Sequence, residues 1–379
     1  MKAKLVVELI KAHSSGEEKL FEKALSNLAN DEERKGNLSL STSLKAAYEY
    51  DLQEKKELDS IEKKDAVYSQ GLTFLPKDKD STLDLLEIIY PEVTLNEVAL
   101  SKKTSESLHQ IVVERKMMDS FLEKGISPTN RVLFCGPPGC GKTLTANALA
   151  GELGLPVAYV KLDGLVSSYL GQTGTNIRKI FDFVKDKNIV LFLDEFDAIA
   201  KKRDDSNELG ELKRVVTTLL QNLDELPDNV FLVAATNHHH MLDSAIWRRF
   251  NLAILLELPT LEQRAKIIKQ SLKKSLFLSD DHFNLITKLT EGMNGSQIKT
   301  FVESLIRYDI LHKVVGSLTS DEIASVWLNH TSLFLSEDSD DYINALRSLN
   351  KNGISIRELE RITGIPKSTL SYKFKNMEA

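Results

Sequence analysis

RVLFCGPPGCGKTLT, residues 131 to 145, decides how the rest of the chain reads. It runs from a short strand-like segment through a turn with glycines at 136, 139 and 141 into helix-forming text. GPPGCGKT (136–143) fits G-x-x-x-x-G-K-[ST] and lies between a strand and a helix, where that pattern must lie to hold phosphate. Glycines let backbone N–H groups face an anion with no Cβ in the way, and the helix N-terminus adds partial positive charge. The expected nucleotide contacts are therefore Gly136, Pro137, Pro138, Gly139, Cys140, Gly141, Lys142, Thr143 and Leu144. Lys142 should reach the β- and γ-phosphates of ATP, and the Thr143 hydroxyl should ligate Mg²⁺. Cys140, beside the expected phosphate, reads as an inert spacer in preference to an oxidisable thiol.

A second apolar run, IVLFLDEFD (189–197), ends in acids. Asp194 is placed to hold Mg²⁺ through water, and Glu195 is suited to orient and polarise an attacking water, so hydrolysis is expected beyond binding. Asp197 reads as structural. Around these two motifs, PVAYVKL (156–162), VFLVAAT (230–236) and LAILLEL (252–258) alternate with helical text. Short, continuously apolar segments between helices predict a parallel sheet buried on both faces. The fold class is α/β, a P-loop NTPase core with a helical lid, a helical N-terminal region and a small all-α C-terminal unit.

The expected boundaries are 1–67 for the N-terminal helices, 68–100 for a connector, 101–259 for the ATPase core, 260–335 for the lid and 342–379 for the tail. In the first, Leu20, Phe21, Ala24, Leu25 and Leu28 recur at helical spacing. The acidic spacer SEDSDD (336–341) sets the tail apart. Composition, 42% hydrophobic and 27% charged, is that of a globular protein. With no apolar run of about 18 residues and no secretory signal, no membrane partner and a cytoplasmic location are expected. The cysteines, Cys135 and Cys140, are too few for a disulfide framework. Three adjacent histidines, His238 to His240, diverge along the chain and have no Cys, Asp or Glu at ligand spacing except Asp243, which favours an ordinary loop over a metal site.

Over about Ser101 to Leu318 the order of motifs resembles the AAA+ ATPases, in particular the classical AAA clade. The resemblance makes VAATN (233–237) the sensor 1 strand, with Asn237 positioning the lytic water. It makes LDSAIWRRF (242–250) the second region of homology, with Arg248 and Arg249 as arginine fingers offered in trans to the next subunit of a homo-oligomer, a hexamer. GMNGSQI (292–298) resembles the lid motif at the ribose and adenine and puts Gly295 beside the nucleotide, although Met293 and Asn294 depart from the usual residues. In SYLGQTG (168–174), Tyr169, Leu170 and Gly171 match the aromatic, hydrophobic, glycine order of the pore loop that grips a protein substrate. A helix is expected from about Thr175. KKRDDSNELGELKR (201–214) is either a second, charged pore loop or a solvated face. The N-terminal stretch LIKAHSSGEEKLFEKALSNLANDEERKG resembles bacterial AAA ATPases encoded beside subtilisin-like proteases, which implies such a protease as partner.

SIRELERITGIPKSTLSYKF (355–374) resembles a helix-turn-helix, with Gly364 at the turn. Ile356, Leu359, Ile362, Ile365, Leu370 and Phe374 form its inner face. The outer face carries Lys367, Ser368, Ser371, Tyr372, Lys373 and Lys375, suited to phosphate and base-edge contacts. Glu358 and Glu360 on the first helix suit protein docking instead. Two function classes follow: an ATP-driven protein-remodelling motor, or a DNA-associated ATPase whose tail chooses the site.

Overall fold

The computed structural model describes residues 27–28, 31, 75–79, 82–162, 170–200, 209–272, 276, 278–312, 318–331 and 339–376. The chain divides into two units, Met1–Leu72 and Thr73–Ala379. Of the first, Asn27 and Leu28 are helical and Leu28 is buried. Leu20, Phe21, Ala24 and Leu25 lie outside the described residues.

The second unit is built on a six-stranded sheet: β1 (Glu87–Ile89), β2 (Arg131–Cys135), β3 (Val157–Lys161), β4 (Val190–Asp194), β5 (Phe231–Thr236) and β6 (Leu252–Leu255). Their order across the sheet is β1-β3-β4-β5-β2-β6. The pairs from β3 to β6 are all parallel. The continuous burial of β2, β4 and β5 is what the unbroken apolar runs predict for strands covered on two sides. The stretch expected as a connector does more than connect. It supplies β1, which pairs antiparallel with the edge of β3. Three residues are too few to carry a periodic signal.

Helices α1 (Lys102–Lys116), α2 (Met118–Glu123) and α3 (Lys142–Leu153) follow β1 and β2. One face of the sheet buries Phe134, Phe192 and Phe231 against α1 and α3, through Leu108, Ile111, Ala146 and Leu149. Helices α4 (Leu170–Val184) and α6 (Leu209–Asp224) pack on each other, with the one-turn α5 (Asp197–Ala200) and α7 (Ser244–Trp247) at strand ends. Helix α4 starts at Leu170, ahead of the expected Thr175. Its first two turns are anchored by Thr173 and Asn176, both 1% exposed, and the Asn176 amide donates to Asp78 at 3.0 Å.

Beyond the sheet come α8 (Leu261–Leu272), α9 (Asp280–Leu289), α10 (Gly295–His312) and α11 (Ser320–Thr331), then α12 (Asp340–Lys351), α13 (Ile356–Thr363) and α14 (Lys367–Asn376). These seven share one core. Ile268, Ile298, Phe301 and Trp327 from the lid lie in the same buried cluster as Tyr342, Leu346, Leu359, Leu370 and Phe374 from the tail. An Arg361–Asp321 ion pair of 2.9 Å joins α13 to α11 at the surface. The tail is thus packed into the lid rather than hung from it.

Candidate active site

Parallel strands bring their C-terminal ends to one rim, and the chemistry-bearing side chains collect there. β2 runs straight into the glycine turn. Gly136 sits at φ +139°, and a Cβ on it would come within 2.0 Å of the Leu256 carbonyl oxygen, so the tight approach to the end of β6 requires glycine. Gly141, at φ +87°, is the N-cap of α3. Gly139 and Cys140 meet the lid. The Gly139 carbonyl accepts from the Ser296 N–H at 3.2 Å, and Gly295 lies against the same carbonyl. A cavity of about 90 Å³ opens between core and lid, lined among others by Leu100, Cys140, Leu256, Ile267 and Gly295. Pro137, Pro138 and Leu144 are exposed around the turn.

Lys142 is 7% exposed, and its ammonium donates to the carbonyls of Gly136 (2.8 Å) and Pro137 (2.9 Å) and to Asn237 Oδ1 (2.7 Å). Burial pushes its pKa below the ordinary lysine value, while the nearby Asp194 and Asp197 carboxylates pull it back up. An ammonium only donates, so Asn237 must turn its oxygen toward Lys142, and its amide N–H groups face the other way. The Thr143 hydroxyl donates to Asp194 Oδ2 at 3.0 Å, and the Glu195 N–H donates to Asp194 Oδ1 at 2.9 Å. Glu195 itself stands at φ +52°, a left-handed backbone that a side-chain-bearing residue holds only when its surroundings impose it. The constraint is visible one residue on: the Phe196 N–H donates to the Ala235 carbonyl at 2.8 Å, and the Phe196 ring is fully buried edge-on to Phe250.

Asp197, read from sequence as structural, has a definite task. Its Oδ1 accepts from the Thr236 hydroxyl (2.9 Å) and the Asn237 N–H (3.3 Å), so it fixes the end of β5 relative to the end of β4. Spacing alone gave no sign of this, because the partners lie about forty residues apart. Burial also pushes the Cys135 thiol up to about 11 and raises that of Cys140, so both are held as thiols.

The two arginines expected to act together are separated by their environment. Arg249 makes a bidentate pair with Asp224 of its own chain, Nε to Oδ1 at 2.9 Å and Nη2 to Oδ2 at 2.8 Å. Arg248 is exposed, and its side chain makes no hydrogen bond or ion pair with any described residue. His239–Met241 forms a single 3₁₀ turn, and among the described residues no group of three or more His, Cys, Asp or Glu could hold a metal. Tyr169 lies outside the described residues, as do residues 201–208; Leu170 and Gly171 begin α4. Lys367, Ser368 and Tyr372 are exposed on α14, while Ser371 and Lys373 are half-buried. They lie on the surface of α14, whose Leu370 and Phe374 enter the shared helical core, and not at the rim.

The family model described as "ATPase family associated with various cellular activities (AAA)" matches residues 132–258, from β2 through the rim to the end of the sheet. An uncharacterized AAA family ATPase, y4kL, of Sinorhizobium fredii is 36% identical over 300 residues, which cover 79% of this chain and 87% of that protein. The chain belongs to the AAA family of ATPases. It is an ATP-hydrolysing enzyme of α/β fold. This AAA ATPase is also similar to the proteasome-activating nucleotidases of Pyrococcus abyssi, 37% identical over 238 residues and 60% of each chain, and of Aeropyrum pernix, 37% identical over 271 residues, 68% of this chain and 66% of that one. Among its described residues no helix is long and apolar enough to cross a membrane.

Proposed function

We propose that this AAA ATPase is a cytoplasmic ring motor, a hexamer of identical chains that hydrolyses ATP where two copies meet and uses the cycle to remodel or thread a protein. One observation carries the reading. The rim holds Lys142 bonded to Asn237 and, next along the chain, Thr143 bonded to Asp194, which also accepts the Glu195 N–H, while the Arg248 side chain has no hydrogen-bond or ion-pair partner among the described residues. An exposed arginine with no partner for its side chain is suited to completing a neighbour's site. The likeness to proteasome-activating nucleotidases supports a protein as the object of the work.

In this reading Lys142 exchanges its carbonyl partners for β- and γ-phosphate oxygens, and the backbone N–H groups of residues 136–143 surround the phosphates. The Glu195 carboxylate accepts a hydrogen from the attacking water, and the Asn237 amide N–H groups fix that water's position. Thr143 Oγ1 and Asp194 Oδ2 are hard oxygen donors 3.0 Å apart, the kind of partial set that Mg²⁺ takes together with phosphate oxygens. When bound there the ion supplies neutralisation of charge on the β- and γ-phosphates. Gly295 and the cavity beside Cys140 receive the nucleoside. Tyr169 and Leu170, followed by Gly171, line the pore, and the first two grip substrate by side-chain packing. A subtilisin-like protease as downstream partner rests on the N-terminal resemblance alone.

A second reading, DNA association through the tail, is favoured by the exposed Lys367, Ser368, Tyr372 and Lys375 on one helix. Both readings predict ATP turnover, and the shared site of the motor is tested at its interface. Arg248→Ala and Lys142→Ala chains, each inactive alone, should regain hydrolysis on mixing, because mixed interfaces contain one intact site. If mixed oligomers form and no hydrolysis returns, catalysis in trans is wrong.

A further inference from the structure

Tyr159 stands on β3 directly opposite Phe192 of β4 in the parallel register, while Asp194 lies one pleat further toward the rim on the same face of β4. The phenol spans that pleat. Its ring packs on Phe192, with centroids 5.5 Å apart and planes at 44°, and its hydroxyl donates to Asp194 Oδ2 at 3.3 Å. The same oxygen accepts from Thr143 Oγ1, and Oδ1 accepts the Glu195 N–H. Asp194 is thus held by a backbone donor and two hydroxyls, one from the phosphate loop and one from the neighbouring strand.

We propose that Tyr159 is a positioning residue for the nucleotide-bound cation: its hydroxyl orients the Asp194 carboxylate that Mg²⁺ requires. The inference rests on the Mg²⁺ reading of Thr143 and Asp194 given above. The logic is that of outer-shell groups that orient the ligands of a metal. Thr143 has two duties at this site, donating to the carboxylate and offering a lone pair to the ion. Tyr159 is set back behind Asp194, with its ring clamped on Phe192, and its hydrogen bond keeps the carboxylate from rotating as Thr143 turns toward the ion. Phenylalanine at 159 keeps the ring and its packing and removes only the hydroxyl.

The test is the affinity of a fluorescent ADP analogue for wild type and Tyr159→Phe, measured in EDTA and across a Mg²⁺ titration, with no turnover involved. Tyr159→Phe should bind the analogue normally in EDTA, unfold at the wild-type temperature, and need roughly tenfold more Mg²⁺ to reach the tight-binding state. Thr143→Val should lose the Mg²⁺ response altogether. Should Tyr159→Phe melt early, Tyr159→Met fills the space without a hydroxyl and takes its place. A wild-type Mg²⁺ response retained unchanged in the variant overturns the role of Tyr159 and leaves the metal reading standing. Equal weakening in EDTA and in Mg²⁺ also overturns it, since the hydroxyl then serves the nucleotide directly. A wild-type protein whose affinity ignores Mg²⁺ overturns the metal reading and this inference together.

Discussion

Replacing Gly139 by alanine should loosen the lid from the phosphate loop by a calculable amount. Gly139 sits at φ +74°, where an alanine costs about 1–2 kcal/mol. The added Cβ would lie 2.6 Å from the Cγ and Oδ1 of Asn294 and 2.8 Å from its Nδ2, so the Asn294 side chain must leave. That side chain caps α10, with its Oδ1 accepting from the Gln297 N–H at 2.9 Å while Gln297 Oε1 accepts from the Asn294 N–H at 2.9 Å. Losing a cap of this kind costs about 1 kcal/mol. The expected total is about 2–3 kcal/mol against lid docking and folding.

The steric part can be isolated. Asn294→Gly alone should cost only a few tenths of a kcal/mol, since glycine is itself tolerated at an N-cap. In the double variant nothing remains for the Cβ to strike, so the two costs should fall short of additivity by about 0.5–1 kcal/mol. Trp327, in the lid core with its indole N–H on the Leu289 carbonyl, reports lid unfolding once Trp247 is changed to phenylalanine. Urea titration of this fluorescence in the four proteins of the cycle gives the coupling. Costs that add to within about 0.3 kcal/mol would refute a direct Gly139–Asn294 contact.

Glu195→Gln should retain ATP and lower hydrolysis by roughly 10²–10⁴-fold, because Lys142, Thr143 and Asp194 stay in place; nucleotide retention and phosphate release measured together decide it, and near-normal release removes Glu195 from its role. Asp224→Asn breaks a bidentate pair whose side chains are 24% and 52% exposed, so the stability loss should be about 1 kcal/mol or less, yet freeing Arg249 should change hydrolysis in the assembled form. Unchanged turnover would make that pair purely a surface contact. With burial raising both thiols, iodoacetamide at pH 8 should label Cys135 and Cys140 far more slowly than a free thiol, and rapid labelling of the native protein would contradict the burial of Cys135. Tyr169→Ala should keep basal hydrolysis and stop unfolding of a labelled protein, whereas Lys367→Glu with Lys375→Glu should abolish any salt-dependent affinity for duplex DNA while leaving the lid core intact. Those paired outcomes separate the motor from the DNA-associated reading.

What the sequence makes legible here is what local physics dictates. A glycine turn after a strand has few uses, and continuous apolar runs such as VLFLD and FLVAAT have few places to go but a doubly covered sheet. Strand order is different, because pairing between distant segments leaves no local trace. Only once β5 lies between β4 and β2 does Asn237 reach Lys142 across 95 positions and Asp197 meet Thr236, and only the pairing of β3 with β4 brings Tyr159 to Asp194. The pair Asp224–Arg249 is hidden for the same reason, since a terminal aspartate on an amphipathic helix ordinarily reads as solvated. The tail is the instructive case. Its acidic spacer reads as a boundary, but Ile356, Leu359, Ile362, Ile365, Leu370 and Phe374 present more apolar surface than two short helices can bury between themselves. Asking where that face goes, rather than where the charge run lies, leads to the core that Leu359, Leu370 and Phe374 share with Trp327 of the lid. Any movement of the lid against the phosphate loop at Gly139 and Ser296 must therefore carry the outer face of α14 with it.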